Sequence, residues 1–429
     1  MNYKLVVLIV IGVAVIAYLL IWTFAEDRGS PRFFNDQAYY FETLRTLSGC
    51  PFGAADVGEV YATIKHVRSG KEQEWYEAWE RTAQRIDSRA ARLQDPTSRG
   101  LAYFRAHNYY RSAEFFLLAN DPKRAESYQK AISTFYKGLE SLNVKYEIID
   151  VPYEQHALRA VYYPGPAGAD KKPLLVASPG FDAIQEELYF RLVAAAHQRG
   201  YSVLTSDGPG QGNALRKYNL KFTPEWEKPV RAVLDSFFKG HQRPPAVVLF
   251  GESFGGYLAP RAAAFTEGID GVVAYDVFFD FQEVFLNRSP SMIRGLLRRM
   301  LDNQMDGTVG LFVRLKALMD PSMRWSLANT RWTMGDGEPA ELYRRFGAYS
   351  LKKVADRIKS HVLILAGKND HFIPLKQVED FQKSLVNAKS VATFIYSEET
   401  GGDQHCQMGA ALLWHEDFFD WLKNKFPTL

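Results

Sequence analysis

The chain has 429 residues, 47% of them hydrophobic, enough for one large domain or two ordinary ones with a sizeable core. Its 52 basic and 49 acidic residues leave a formal net charge of +3, too balanced to argue for nucleic acid as a partner. Two cysteines, Cys50 and Cys406, and no CxxC or HExxH pattern argue for neither a disulfide framework nor a metal site.

The first segment, Leu5 to Ala25, is apolar almost throughout and uncharged, with Lys4 before it and Glu26, Asp27 and Arg28 after it. A helix of about 20 such residues spans a bilayer. Signal-peptide cores are shorter, about 7–15 residues. The stretch therefore predicts an uncleaved single-pass anchor rather than a signal peptide cut after Thr23-Phe24-Ala25. Membrane localisation follows, the endoplasmic reticulum being one candidate. Lys4 on one side and Arg28 and Arg32 on the other leave the orientation open.

From Phe33 to about Leu142 the apolar residues recur at helical spacing: Trp75, Trp79, Ala83 and Ile86, then Leu101, Phe104, Tyr109, Ala113 and Phe116. Asp121-Pro122 opens a further helix, with Asp as cap and Pro in the first turn. The stretch Tyr103 to Lys137 has a tetratricopeptide-like look, but no second copy follows at a fixed period. Most of these aromatics read as helix-to-helix core.

After Asn143 the texture changes. Tyr146–Val151 and Ala157–Tyr163 predict paired strands, and then strands and helices alternate. Strands are expected at Leu174–Ala177, Tyr201–Thr205, Val247–Phe250, Gly271–Tyr275, His361–Leu365 and Val391–Tyr396. Helices are expected at Glu186–Gln198, Pro224–Phe238 and about Ala410–Lys425. Such alternation gives a mostly parallel sheet with helices on both faces, here eight strands. Between Phe278 and Gly347 no strand is predicted, and the apolar spacing points to a helical insertion placed as a lid. Its Arg294, Arg298 and Arg299 read as a solvated face.

Gly251-Glu252-Ser253-Phe254-Gly255 lies between a predicted strand and a predicted helix. A G-x-S-x-G in that setting is a nucleophile elbow, and the acid and base should follow in the order Ser, Asp, His. A serine hydroxyl is a poor nucleophile until a base takes its proton. Asp370 follows a late strand, and His405 follows the last strand before the closing helix. His371, beside the acid, is awkwardly placed to bridge it to Ser253. Cys406 reads as a packing residue. Two donors must meet the developing oxyanion. The amide of Phe254, next to the nucleophile, is one. The other is expected from Ser178-Pro179-Gly180-Phe181-Asp182, where Phe181 is nominated because Pro179 has no N–H. Asp182 is expected to cap the next helix. The glycines of Gly208–Gly212 lack the Lys-Ser/Thr of a phosphate-binding loop.

Ser253, Asp370 and His405, with Pro179-Gly180-Phe181 and Asp207-Gly208-Pro209-Gly210-Gln211-Gly212, resemble the α/β-hydrolase superfamily. The segments Gly53–Val60, Arg99–Leu117 and Ala125–Leu139 are similar to the helical cap preceding the core in one subgroup. That subgroup contains dihydroxypseudooxynicotine hydrolase, fungal hydrolases that shorten pigment polyketides, and fusarin- and cytochalasan-type hydrolases. The resemblance covers about residue 33 to the end. It implies an α/β-hydrolase core (144–429, lid insertion at about 278–347), an N-terminal helical cap (33–143) and, ahead of both, the anchor and linker (1–32). It also implies a serine hydrolase, without a cofactor, cleaving an ester, amide or C–C bond next to a carbonyl in an apolar small molecule of the polyketide type. A non-hydrolytic cyclase or lyase on the same fold and a membrane-tethered binding protein are the alternatives. The expected partners are that small molecule, the membrane through the N-terminal helix and, across the cap, a second copy of the chain.

Overall fold

The computed structural model describes residues 32–427 except 288 and 290. It opens with five helices: α1 (Gln37–Leu47), α2 (Val57–Ile64), α3 (Glu72–Ala90), α4 (Pro96–Glu114) and α5 (Pro122–Ser141). Aspartates start four of them. The carboxylates of Asp36, Asp56, Asp95 and Asp121 each accept a first-turn amide, and proline follows directly in α4 and α5. Those amides have no partner inside the helix, so the cap fixes where each helix begins. The apolar stripe read from the sequence faces inward, with Trp75, Trp79, Ala83 and Ile86 of α3 in a core of their own.

An eight-stranded sheet follows, built from β1 (Glu147–Tyr153), β2 (His156–Tyr163), β3 (Leu174–Ser178), β4 (Val203–Asp207), β5 (Val247–Glu252), β6 (Gly271–Tyr275), β7 (His361–Gly367) and β8 (Ser390–Tyr396). The spatial order is β1-β2-β4-β3-β5-β6-β7-β8. The β1–β2 and β2–β4 pairs are antiparallel and the remaining neighbours parallel. Strands β3 to β6 are buried along their whole length. Helices and loops pack on both faces of the sheet, so these strands read as continuous apolar runs without alternation.

The remaining helices in chain order are α6 (Ala194–Gln198), α7 (Gly212–Tyr218), α8 (Glu227–Phe238), α9 (Gly255–Phe265), α10 (Phe281–Asn287), α11 (Ser291–Asp302), α12 (Asp306–Met319), α13 (Pro321–Met334), α14 (Pro339–Phe346), α15 (Leu375–Ser384) and α16 (Ala411–Lys425). Helices α10 to α14 fill the stretch between β6 and β7 where no strand was expected. The helix expected over Glu186–Gln198 is interrupted. A 3₁₀ turn at Gln185–Glu187 and a π turn at Tyr189–Val193 precede α6. Burial of Glu186, Glu187 and Arg191 in this segment accompanies the irregular winding.

One expectation is overturned. Among the described residues no helix is long and apolar enough to cross a membrane. The stretch Leu5–Ala25 lies outside the described residues. The described residues therefore form an eight-stranded, mostly parallel α/β sheet with helical additions and no transmembrane helix among them, and a single-pass membrane anchor is not supported.

Candidate active site

The parallel strands end on one edge of the sheet, where ligands of open α/β sheets bind. Ser253 stands there, between β5 and α9, at φ +59°. Residues other than glycine rarely enter this region, and then where the surroundings impose it. Gly251 makes the turn possible, because a Cβ there would collide with the Gly255 carbonyl. The Ser253 amide donates to the Tyr275 carbonyl at 2.5 Å, tying the turn to the end of β6.

Asp370 lies in the loop after β7. Its Oδ1 accepts the amides of Phe372 at 2.7 Å and Ile373 at 3.0 Å. That leaves Oδ2 facing His405, with Nδ1 at 2.6 Å. The other ring nitrogen of His405, Nε2, lies 2.8 Å from Ser253 Oγ. The three sequence-nominated side chains thus form one unbroken hydrogen-bonded chain. The acid and base loops are also stapled together. Asn369 donates its amide to the Asp403 carbonyl at 3.0 Å and its Nδ2 to Asp403 Oδ2 at 2.9 Å.

Burial alone would depress the His405 pKa, but the neighbouring Asp370 charge and the hydrogen bonds that Asp276 and Asp370 accept from the ring raise it well above the ordinary histidine value. Burial pushes the Cys406 thiol up, far out of the range where a thiolate forms. Carboxylates rather than the thiol therefore hold the imidazolium. Asp276, His405 and Cys406 converge with potential ligand atoms within 4.8 Å of one another. Both ring nitrogens of His405 are already engaged, so the cluster reads as part of the hydrogen-bonded chain and not as a metal centre.

Phe254 follows Ser253 at the head of α9, where helix amides lack intrahelical partners. Gly180 brings the loop after β3 against the nucleophile, since a Cβ on it would sit 2.8 Å from Ser253 Cβ. The carbonyls of Pro179 and Gly180 are both gripped by Gln211 Nε2, at 2.6 and 3.0 Å, while Gln211 Oε1 accepts the Gly208 amide at 2.9 Å. A trans peptide is planar, so fixing the Gly180 carbonyl on Gln211 turns the Phe181 N–H to the opposite side. The Phe181 ring stacks on Phe222 with centroids 5.4 Å apart.

A cavity of about 700 Å³ opens above Ser253 and His405. Apolar side chains line part of it, among them Phe285, Leu297, Leu301, Phe312 and Val313 from α10 to α12 and Trp325 from α13. Glu42, Arg45, Asp182, Glu187, Arg191 and Glu252 line it as well. Arg45 of α1 meets Glu187 at 2.8 Å and Asp182 at 3.1 Å, and Arg111 of α4 meets Glu187 at 3.1 Å. These pairs fasten the N-terminal helices to the sheet edge. Burial alone would raise Glu187, but Arg45 and Arg111 pull it down to about 2. Glu42 is pushed up to about 8 by burial, against the opposing pull of Arg45. Its contact with Arg45, at 3.5 Å, is the longest of the three carboxylates around that guanidinium. Arg45 is already matched by two charges, so Glu42 is the carboxyl that keeps its proton. Asp182 faces Arg45 instead of capping a helix, contrary to expectation.

Several of these residues were not foreseen. Gln211 sat in a glycine-rich run weighed for phosphate binding and for the family resemblance, with no role of its own assigned. Asp276 ends a predicted strand as many loop aspartates do. Arg45, Glu187 and Arg191 carry no motif in the sequence, and their burial and pairing mark them out.

The sheet, the strained serine turn and the serine–histidine–aspartate arrangement are those of a hydrolase, and the chain belongs to the alpha/beta hydrolase family, whose model matches residues 174–410. A model for FrsA-like esterases matches residues 54–276. The chain is 32% identical to the hydrolase acrC of Aspergillus aculeatus over 423 residues, covering 92% of this chain and 98% of that one. It is 32% identical to the 20-hydroxy-prefusarin hydrolase FUS2 of Gibberella moniliformis, covering 92% and 97%. In fold it is similar to 2,6-dihydroxy-pseudo-oxynicotine hydrolase, with a TM-score of 0.69 at 17% identity, over 89% of this chain and 96% of that one.

Proposed function

We propose that the protein is a serine hydrolase that cleaves an ester, amide or C–C bond next to a carbonyl in a largely apolar small molecule of the polyketide type. The observation that carries this is the unbroken chain from Ser253 Oγ through His405 to Asp370, opening on the cavity. His405 Nε2 takes the Ser253 proton as Oγ attacks the carbonyl carbon, then returns it to the leaving group. Asp370 holds the Nδ1–H tautomer and balances the imidazolium. The amides of Phe254 and Phe181 receive the oxyanion, with Gln211 fixing the second. Water then repeats the attack with His405 as base and releases Ser253.

The cavity supports the substrate class. Its volume suits a drug-sized molecule, its apolar lining suits an apolar chain, and its charged lining residues suit polar groups of the substrate. The likeness to a hydrolase named for a prefusarin substrate supports the same reading. In this reading residues 33–143 form a cap, 144–429 the catalytic core, and about 278–347 a lid. Membrane tethering and a homodimer are not part of it. The test is turnover of polyketide-type esters, amides and β-dicarbonyl compounds by wild type and Ser253→Ala. Two fragments whose combined mass exceeds that of the substrate by one water, lost in the variant, are expected. Full turnover by Ser253→Ala would remove the nucleophile from the account. Products isomeric with the substrate would remove hydrolysis.

A further inference from the structure

Asp370 does not face His405 alone. Asp276, just past the end of β6, places Oδ2 3.2 Å from His405 Nδ1. The same oxygen accepts the Cys406 amide at 2.5 Å. Asp276 Oδ1 is buried and has no hydrogen-bond partner among the described residues. The Asp276 side chain is 1% exposed and that of Asp370 2%. Two buried carboxylates thus converge on one imidazole N–H.

We propose that Asp276 is a second acid of His405, a positioning residue that shares the imidazolium charge with Asp370 in the reaction set out above, on which this inference rests. Only one proton moves, from Ser253 Oγ to His405 Nε2. The Nδ1 proton stays on the ring, and neither aspartate takes it. Bound to Cys406 N–H, Asp276 also holds the His405 loop where Cys406 and Gln407 adopt φ of +49° and +42°. Tyr275 supports the same loop by donating its hydroxyl to the Cys406 carbonyl. A purely structural role would end there.

The charge is what separates the two roles. Burial and the adjacent Asp370 raise the Asp276 carboxyl above the ordinary range, while His405 pulls it down. The other groups near this pair are Glu252 at the end of β5 with Arg191 beside it, the Cys406 thiol, Tyr275, Tyr396 and the His371 ring. Glu252 is itself raised by burial, against Arg191. Asp276 and Asp370 are the two carboxylates within ion-pair distance of His405 among the described residues.

Attack requires neutral His405, so the acid limb of kcat/KM reports its pKa. Each carboxylate raises that pKa. Removing one charge must move the limb to lower pH. The experiment measures kcat/KM against pH, or the rate of fluorophosphonate labelling of Ser253, for wild type, Asp276→Asn, Asp370→Asn and the double variant. Folding is checked by circular dichroism. The expected result is an acid limb about one pH unit lower in Asp276→Asn. Asp370→Asn should lose less than the roughly 10⁴-fold cost of removing the acid in the worked chymotrypsin-type case, and the double variant should lose far more than either. An unmoved limb in folded Asp276→Asn overturns the inference, as does an Asp370→Asn protein no better than the double variant. Should Asp276→Asn fail to fold, Asp370→Asn decides alone. A loss of the full 10⁴-fold then counts against a second acid. Wild type that is never labelled would sink the serine reading itself, whereas labelled wild type with an unmoved limb sinks only the role of Asp276.

Discussion

At the level of single residues, the site depends on backbone groups as much as on side chains. Gln211 touches no substrate in this account, yet it holds the two carbonyls that orient the Phe181 amide. Removing an oxyanion donor outright costs about 100–1,000-fold in rate. Gln211→Leu leaves the donor in place but unclamped, so kcat should fall about ten-fold or more, short of that range, with KM little changed. Steady-state kinetics on an ester checks this, and a rise in KM at constant kcat would place Gln211 in substrate binding instead. Ser253, Asp370 and His405 were legible in the sequence because chain order and strand–loop context restrict where each can stand. Gln211 and Asp276 were not. Their importance lies in which loop lies beside which, and that follows from β4, β3, β5 and β6 lying side by side, a spatial order unlike the chain order.

At the level of elements, α1 carries a charge problem that it solves by protonation. Glu42 is buried beside Arg45, whose charge Glu187 and Asp182 already balance. Its folded-state carboxyl is raised to about 8, above the ordinary value. The folded protein therefore binds a proton that the unfolded chain releases, and this stability contribution is lost as pH rises through about 8. Glu186 is raised to about 8 by burial and acts with the same sign. His107 and His415, lowered to about 4 by burial, act with the opposite sign but only below the ordinary histidine range. Between about pH 7 and 8 the two glutamates thus contribute to the slope together with His405, whose raised pKa acts with the same sign. Glu42→Gln should flatten it by at most about 1.4 kcal/mol per pH unit. Denaturant unfolding at several pH values measures this, and an unchanged slope would mean that Glu42 is ionised in the fold. The helical periodicity of α3 to α5 and the Asp-Pro starts of α4 and α5 were legible, since both are local signals. The break at Tyr189–Val193 was not, because Glu187 and Arg191, buried beside and within it, answer to Arg45 of α1, Arg111 of α4 and Glu252 of β5.

At the level of the whole molecule, helices between β6 and β7 and the N-terminal helices both contribute to the lining of one cavity beside Ser253. Cavity size should then set substrate range without touching the chemistry. Val313→Trp, adding bulk to the apolar lining, should raise KM several-fold for bulky substrates and leave labelling of Ser253 by a small fluorophosphonate unchanged. Equal losses for both would mean that these helices also shape the reacting geometry. The alternation that announces a parallel sheet was readable along the chain, and so was the strandless insertion. The membrane-spanning helix expected ahead of them finds no counterpart among the described residues. The most direct test of the account is intact-mass measurement after treatment with a fluorophosphonate, comparing wild type with Ser253→Ala. The account predicts one adduct on wild type and none on the variant. A folded wild type that stays unmodified, or a variant labelled equally, would contradict it.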